Sequence, residues 1–145
     1  MNCFIGIDIG TSGCKALAFD DSGHQLSESS RSYEIISRKH DWAELDTDEV
    51  ISKCFEIIKE SASQAGDRII AGLGISSQGE AFTMIDENGN PLCNAFVSSD
   101  TRSNELIKPW TGKFGEEKLY RITGHTPHPM FSLFKLLWVK DNMPE

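Results

Sequence analysis

No run of the 145-residue chain approaches the ~20 apolar residues that a membrane-spanning helix needs. The N-terminus has no basic segment ahead of an apolar core, so no secretory signal peptide is read there. Positive charge is scarce: Lys and Arg total 14 against 22 Asp and Glu, giving a formal net charge of −8 and a pI of about 5.0. That balance excludes the broad basic face by which proteins hold nucleic acid. It leaves phosphate binding open, because backbone amides and a metal ion can do that locally in an acidic protein. Cysteine is sparse as well. Cys3, Cys14, Cys54 and Cys93 form no C-x-x-C pair, and each sits among apolar residues. They are expected to be buried free thiols of a reducing compartment. A cytoplasmic location follows by elimination. Internal repeats and low-complexity linkers are also absent. What remains is an ordinary soluble composition, 39% hydrophobic and 25% charged. Its length fits one domain with a real core.

The chain begins "MNCFIGIDIGTSGCKALAFDDSG". "CFIGID" alternates as a strand, with Ile5 and Ile7 on one face and Phe4 and Asp8 on the other. "GTSG" reads as a turn whose two glycines supply positive φ. "CKALAFD" resumes as a strand, "DDSG" turns again, and "HQLSESSRSYEII" is a third, half-exposed strand. "DTDEVISKCFEIIKESASQAG" is a helix with Val50, Ile51, Cys54, Ile57, Ile58, Ala62 and Ala65 on its apolar face. Asp46 and Glu49 fit a capping signal, and Gly66 is the stop. "RIIAGLGISS" is a continuous apolar run. It predicts a strand in the middle of a sheet, covered on both faces and parallel to an earlier strand. "DENGNP" predicts a hairpin centred on Asn88-Gly89. Beyond Asp100, Pro109 and Gly112 divide a helical stretch into two short helices. "TPHPMF" is a loop. "SLFKLLWVKDN" is an amphipathic helix with Leu133, Leu136, Leu137 and Val139 or Lys140 on successive turns. The chain then stops at "NMPE", just past an apolar helix, as a fragment or one lobe of a larger protein would.

An unpaired carboxylate in an apolar strand is costly to desolvate. Asp8, followed by Gly10, Thr11, Ser12 and Gly13, suggests a compensation. The turn's N–H groups and hydroxyls can face phosphate oxygens, and Asp8 can hold Mg²⁺ directly or through water. The spacing is not that of a Walker A loop, since Lys15 follows Cys14 and a strand comes next. It is not a dinucleotide fingerprint either, because "GLGISS" lacks the third glycine. An ordinary hairpin, with Asp8 capping its own turn, is the other reading of the same residues. His125 and His128 form H-x-x-H, but Pro127 and Pro129 break any helix that would align them, so no metal site is read there.

"IGIDIGTSGCKALAFD" resembles the first phosphate motif of the sugar kinase, actin and Hsp70 ATPase superfamily. Four later segments narrow the resemblance to the FGGY carbohydrate kinases, near the xylulose kinases. They are "WAELDTDEV", "GISSQGEAFTMIDENGNPL", "SSDTRS" and "ITGHTPHPMFSLFKLLWVKDNMPE". The resemblance runs from about residue 4 to the end and covers only the start of a family member, with the C-terminal domain absent. It implies an α/β fold: the N-terminal part of a ribonuclease-H-like (actin/hexokinase/Hsp70-type) domain.

The implied activity is ATP-dependent phosphorylation of a sugar or polyol hydroxyl. Asp8 would serve Mg²⁺, and Gly10, Thr11, Ser12, Gly13 and Lys15 the ATP phosphates. Gln78, Gly79 and Glu80, with Asp100 and Arg102, would line one sugar pocket. The general base is expected downstream, so the isolated chain is not expected to be active. The full-length form would act on small molecules, with a homodimer as its candidate assembly and neither nucleic acid nor membrane as partner. Departures from the family are Gly79-Glu80 after the glutamine and Ser98 where many members carry Trp. The missing aromatic wall leaves room for a larger or more polar substrate. Solvated strand-end carboxylates at Glu80 and Asp100, and a helix-start ion pair at Arg102, are the bland readings. A non-catalytic sugar-binding or regulatory module, or a degenerate kinase remnant, is the second functional reading.

Overall fold

The computed structural model describes residues 1–143. Three strands follow one another as antiparallel neighbours: β1 (Asn2–Ile9), β2 (Gly13–Asp20) and β3 (Gln25–Ser32). A two-residue strand, β4 (Glu44–Leu45), leads into helix α1 (Thr47–Gln64). Strand β5 (Ile69–Ser77) then pairs parallel to β1, completing a mixed sheet of order β3-β2-β1-β5. Strand β6 (Ala95–Phe96) pairs with β4 in a separate two-stranded ribbon. Helices α2 (Asn104–Phe114), α3 (Glu116–Thr123) and α4 (Ser132–Asn142) follow.

Alternation places Cys3, Ile5 and Ile7 of β1 and Cys14, Ala16 and Ala18 of β2 on one buried face. Helix α1 packs there through Cys54, Ile57 and Ser61. Small residues on β2 and β3 leave room for it. Ser27 Oγ lies 2.8 Å from both the carbonyl and the hydroxyl of Ser61, so neither polar group is buried unpaired. The Asp46 carboxylate accepts from the Glu49 N–H at 3.0 Å, and Gly66 adopts φ 74° just past the helix end.

Several expectations are corrected. Within the described residues β5 is an edge strand, and Ile69 and Ile75 are exposed rather than covered on both faces. An uninterrupted apolar run marks a strand whose faces are both apolar; it does not say what packs on them. Ile51 lies off the buried face of α1. Residues 82–96 keep the turn but not full strands. Asp86 accepts from the Asn88 and Asn90 N–H groups at 2.8 Å each, Gly89 has φ 84°, and the arms touch only through isolated bridges. Helix α2 runs through Pro109 and Gly112 and ends at Gly115, where φ is 98°. The carbonyl that Pro109 deprives of a donor belongs to Glu105, which is exposed to water, so the helix tolerates the loss. In α4 the buried residues are Phe134 and Lys135, while Leu133 and Leu136 are exposed. "NMPE" is described only as far as Met143.

Candidate functional site

The β1–β2 turn is built from two neighbouring strands and braced from two others. The Gly10 N–H donates to the Gly13 carbonyl at 2.9 Å. The Gly10 carbonyl accepts from the Tyr33 hydroxyl at 2.8 Å, and Gln78 Nε2 reaches it at 3.3 Å from the end of β5. Burial, with the neighbouring Cys14, Cys54 and Asp8, pushes the Tyr33 phenol up to about 12, so it stays a donor. Neither Gly10 nor Gly13 has positive φ. Gly13 is needed for another reason: a Cβ there would sit 2.5 Å from the Arg31 carbonyl on β3. Close strand approach, not a left-handed dihedral, dictates this glycine.

With its backbone braced, the turn leaves its tip open. The Thr11 and Ser12 N–H groups donate to no backbone acceptor among the described residues. Asp8 is exposed on the sheet face opposite α1, so the desolvation cost expected from its apolar context does not arise. Lys15, its cross-strand partner, is on the same face but is held by Glu28, with Nζ 2.7 Å from Oε1. No cluster of three or more metal-ligating side chains exists among the described residues. A hard cation here would rest on Asp8 with water and phosphate oxygens, which suits Mg²⁺.

Glu80 stands just beyond β5. Its Oε2 accepts from the Ser132 N–H at 2.6 Å and the Ser132 hydroxyl at 2.7 Å. These bonds hold its carboxyl below the usual carboxylate range. Its carbonyl accepts from Lys135 Nζ at 3.0 Å. A cavity of about 210 Å³ opens beside it, lined also by Thr123, His125, Thr126, Phe131 and Ser132. His125 and Phe131 stack, with centroids 4.5 Å apart, and the Met130 N–H donates to His128 Nδ1, so both histidines act within the loop.

Asp100 and Arg102 do not join Glu80 in that cavity. Asp100 is completely buried, and both its oxygens are engaged. Oδ2 accepts from the Ala43 N–H at 2.8 Å and from Arg102 Nη2 at 2.7 Å, and Oδ1 from Arg102 Nε at 2.9 Å. Arg102 also donates to Glu44 Oε1 at 2.6 Å. Its guanidinium carbon lies 3.8 Å from the Trp42 ring centroid, 4.4 Å from Phe96 and 5.0 Å from Trp138. Burial alone would lower its pKa; the hydrogen bonds and charges of Asp100 and Glu44 outweigh that and raise it. The expected single pocket is therefore two structures: a cavity at Glu80 and a buried ion cluster around Arg102, which itself lines a separate cavity of about 430 Å³ with Trp42, Glu44, Phe96 and Trp138.

Sequence reasoning missed Tyr33, Ser132 and Lys135. A lysine inside the apolar run "SLFKLLW" was the available signal for the last. Gln78 and Gly79 sit between the two centres. Gln78 is anchored to the turn, with its N–H donating to the Ile9 carbonyl at 2.9 Å, and Gly79 is exposed.

Among curated proteins, the chain is 34% identical over 146 residues to a probable L-xylulose kinase of Haemophilus influenzae, covering 99% of this chain and 30% of that protein. It is 33% identical to the L-xylulose/3-keto-L-gulonate kinase of Escherichia coli, covering 98% of this chain and 29% of that protein. The ligand-bound crystal structure of xylulose kinase from Lactobacillus acidophilus superposes with a TM-score of 0.90 at 28% identity, over 99% of this chain and 29% of that one. The chain thus spans about 30% of the length of the curated relatives it matches. The N-terminal domain model of the FGGY carbohydrate kinases matches residues 3–145. The chain belongs to the FGGY family of carbohydrate kinases.

Proposed function

We propose that this chain carries the ATP-phosphate and Mg²⁺ end, and one wall of the sugar site, of an ATP-dependent sugar or polyol kinase. The observation that carries the reading is the braced turn with an open tip. Thr11 and Ser12 present N–H groups and hydroxyls beside the exposed Asp8, while the surrounding carbonyls are already occupied. Fixed donors of this kind stabilise charge on a phosphoryl group without having to reorganise. When bound, Mg²⁺ supplies charge neutralisation at the phosphates, and Asp8 is the residue that would hold it.

Glu80 is the sugar-side residue in this reading. Ser132 fixes one carboxylate oxygen, and Oε1 remains to accept a substrate hydroxyl. Asp100, fully buried and engaged, holds Arg102, which lines a neighbouring cavity with Nη1 unpartnered among the described residues. Lys15 reaches a phosphate only by leaving Glu28. The substrate class is a small polyhydroxylated molecule of the kind named for the relatives, such as xylulose. No residue here is assigned as the base that removes the hydroxyl proton, so the chain by itself is expected to be inactive. A coupled assay of ADP release against a panel of ketoses, polyols and aldonates tests this. Sugar-dependent ADP release from the 145-residue chain, abolished by Asp8→Asn, would show that the catalytic assignment is incomplete.

A further inference from the structure

We propose that Lys135 is a positioning residue: it sets the backbone conformation of Glu80 and so aims the carboxylate offered to substrate. The functional half of this inference rests on the reading of Glu80 as a sugar ligand. Glu80 is the one non-glycine residue with positive φ among the described residues, at 57°. An L-residue with a Cβ is disfavoured there and persists only where its surroundings impose it.

Lys135 is the element that imposes it. Its side chain is wholly buried, and a buried ammonium needs partners. Among the described residues, Nζ binds no carboxylate oxygen. It donates to two main-chain carbonyls, Val97 at 2.7 Å and Glu80 at 3.0 Å. Val97 is itself fixed, buried, with its N–H on the Ala43 carbonyl at 3.2 Å. The ammonium therefore ties the Glu80 carbonyl to an immobile point. Burial lowers its pKa overall, while Asp100 and Glu80 favour its charge and Arg102 opposes it. One turn earlier on the same helix, Ser132 takes the other end of the residue through Oε2. Helix α4 thus grips Glu80 by its carbonyl and its carboxylate together. An apolar side chain of similar length could fill the volume but could not turn the carbonyl.

Denaturant unfolding of the 145-residue chain tests this without any sugar, through mutant cycles of Lys135→Met in three backgrounds. These are the parent, Glu80→Gly and Glu80→Gln. Glu80→Gly removes the Cβ that makes positive φ costly. Glu80→Gln removes the charge but keeps the Cβ. Lys135→Met should shift the unfolding equilibrium constant about tenfold more in the Glu80→Gly background than in the parent, because only the parent regains strain energy when the clamp is lost. The Glu80→Gln background should show little of that difference. Equal losses in all three backgrounds would make Lys135 a plain core contact and overturn the proposal. Losses that Gln and Gly reduce alike would make it a charge pair and overturn it too. If Lys135→Met does not fold, the milder Lys135→Gln takes its place in the same three backgrounds and is judged by the same outcomes. Nuclear magnetic resonance gives a second readout. The left-handed pattern at residue 80 should be present in the parent and lost in Lys135→Met, and its persistence would count against the clamp. Affinity of the intact kinase for xylulose separates the two readings. Glu80→Gln binding xylulose as tightly as the parent sinks the sugar role, while the unfolding cycles judge the clamp.

Discussion

Two polar centres in this chain rest on motifs of similar strength, and the structure treats them in opposite ways. At the β1–β2 turn the backbone carbonyl is claimed twice while the donors at the tip stay unclaimed. Around Arg102, Asp100 has both oxygens engaged and Arg102 binds two carboxylates inside an aromatic shell. Both look functional as strings of residues. The first offers unclaimed main-chain donors, while at the second Asp100 is fully engaged and only Arg102 Nη1 is left without a partner among the described residues. A buried polar group that is fully partnered is architecture; an ordered one left open beside braced neighbours is a site.

The sharpest way to break this contrast is to remove Arg102. Arg102→Met should destabilise the chain by about 3–5 kcal/mol, because it leaves Asp100 and Glu44 buried without their counter-charge. Urea unfolding measures it, and a loss under about 1 kcal/mol would mean that the cluster is not structural. Asp8→Asn should do the reverse. Stability should stay within about 0.5 kcal/mol of the parent, while turnover of the intact kinase falls about 100-fold or more, roughly 2.7 kcal/mol in the barrier. Near-normal turnover at saturating Mg-ATP contradicts the metal role.

Gly13→Ala probes the bracing itself. The 2.5 Å approach to the Arg31 carbonyl forces backbone movement, so a loss of about 1–3 kcal/mol is expected, with weaker nucleotide binding in the intact kinase. An alanine variant as stable as the parent would show the β2–β3 spacing to be adjustable.

The smallest expected effect is in pH. Folding holds the Glu80 carboxyl below its ordinary 4.5, chiefly through the Ser132 hydroxyl and N–H. Between the folded and unfolded values the unfolded state binds more protons. Stability contributed by Glu80 is therefore complete above about 4.5 and lost as pH falls through the depressed folded value. Ser132→Ala should flatten the acid limb of the urea midpoint measured against pH, and an unchanged limb would place that acid sensitivity elsewhere.

Much of the framework was legible because it is local. The alternation of Ile5 and Ile7, the Asp46–Glu49 cap and the Asp86 turn each depend on residues a few positions apart, and each forms as expected. The β1–β2 turn was legible for the same reason, although its Gly13 serves a steric need on β3 that no local rule carries. Pro109 failed as a helix break because the residue whose carbonyl it orphans, Glu105, is exposed, and exposure cannot be read from a dipeptide. The burial of Asp100 was not legible because, beyond its neighbour Arg102, the groups that enclose it lie far along the chain: the Ala43 N–H that it accepts from and the Glu44 carboxylate that shares Arg102.

The sequence by itself determined the three antiparallel strands, the long helix and the parallel strand after it, the position of the Gly10–Gly13 turn and the segments that approach it. Those follow from periodicity, turn chemistry and short-range spacing, which act before the chain has a shape. Tertiary structure alone decided which motif residues remain free to bind. That depends on the partners each polar group finds across the fold: Trp42 and Trp138 closing on Arg102, and Ser132 and Lys135 reaching Glu80 from a helix about fifty residues away. Burial and hydrogen-bond engagement are properties of the packed molecule, so the Asp and Arg read from the chain as separate ligands form one buried ion cluster in the fold.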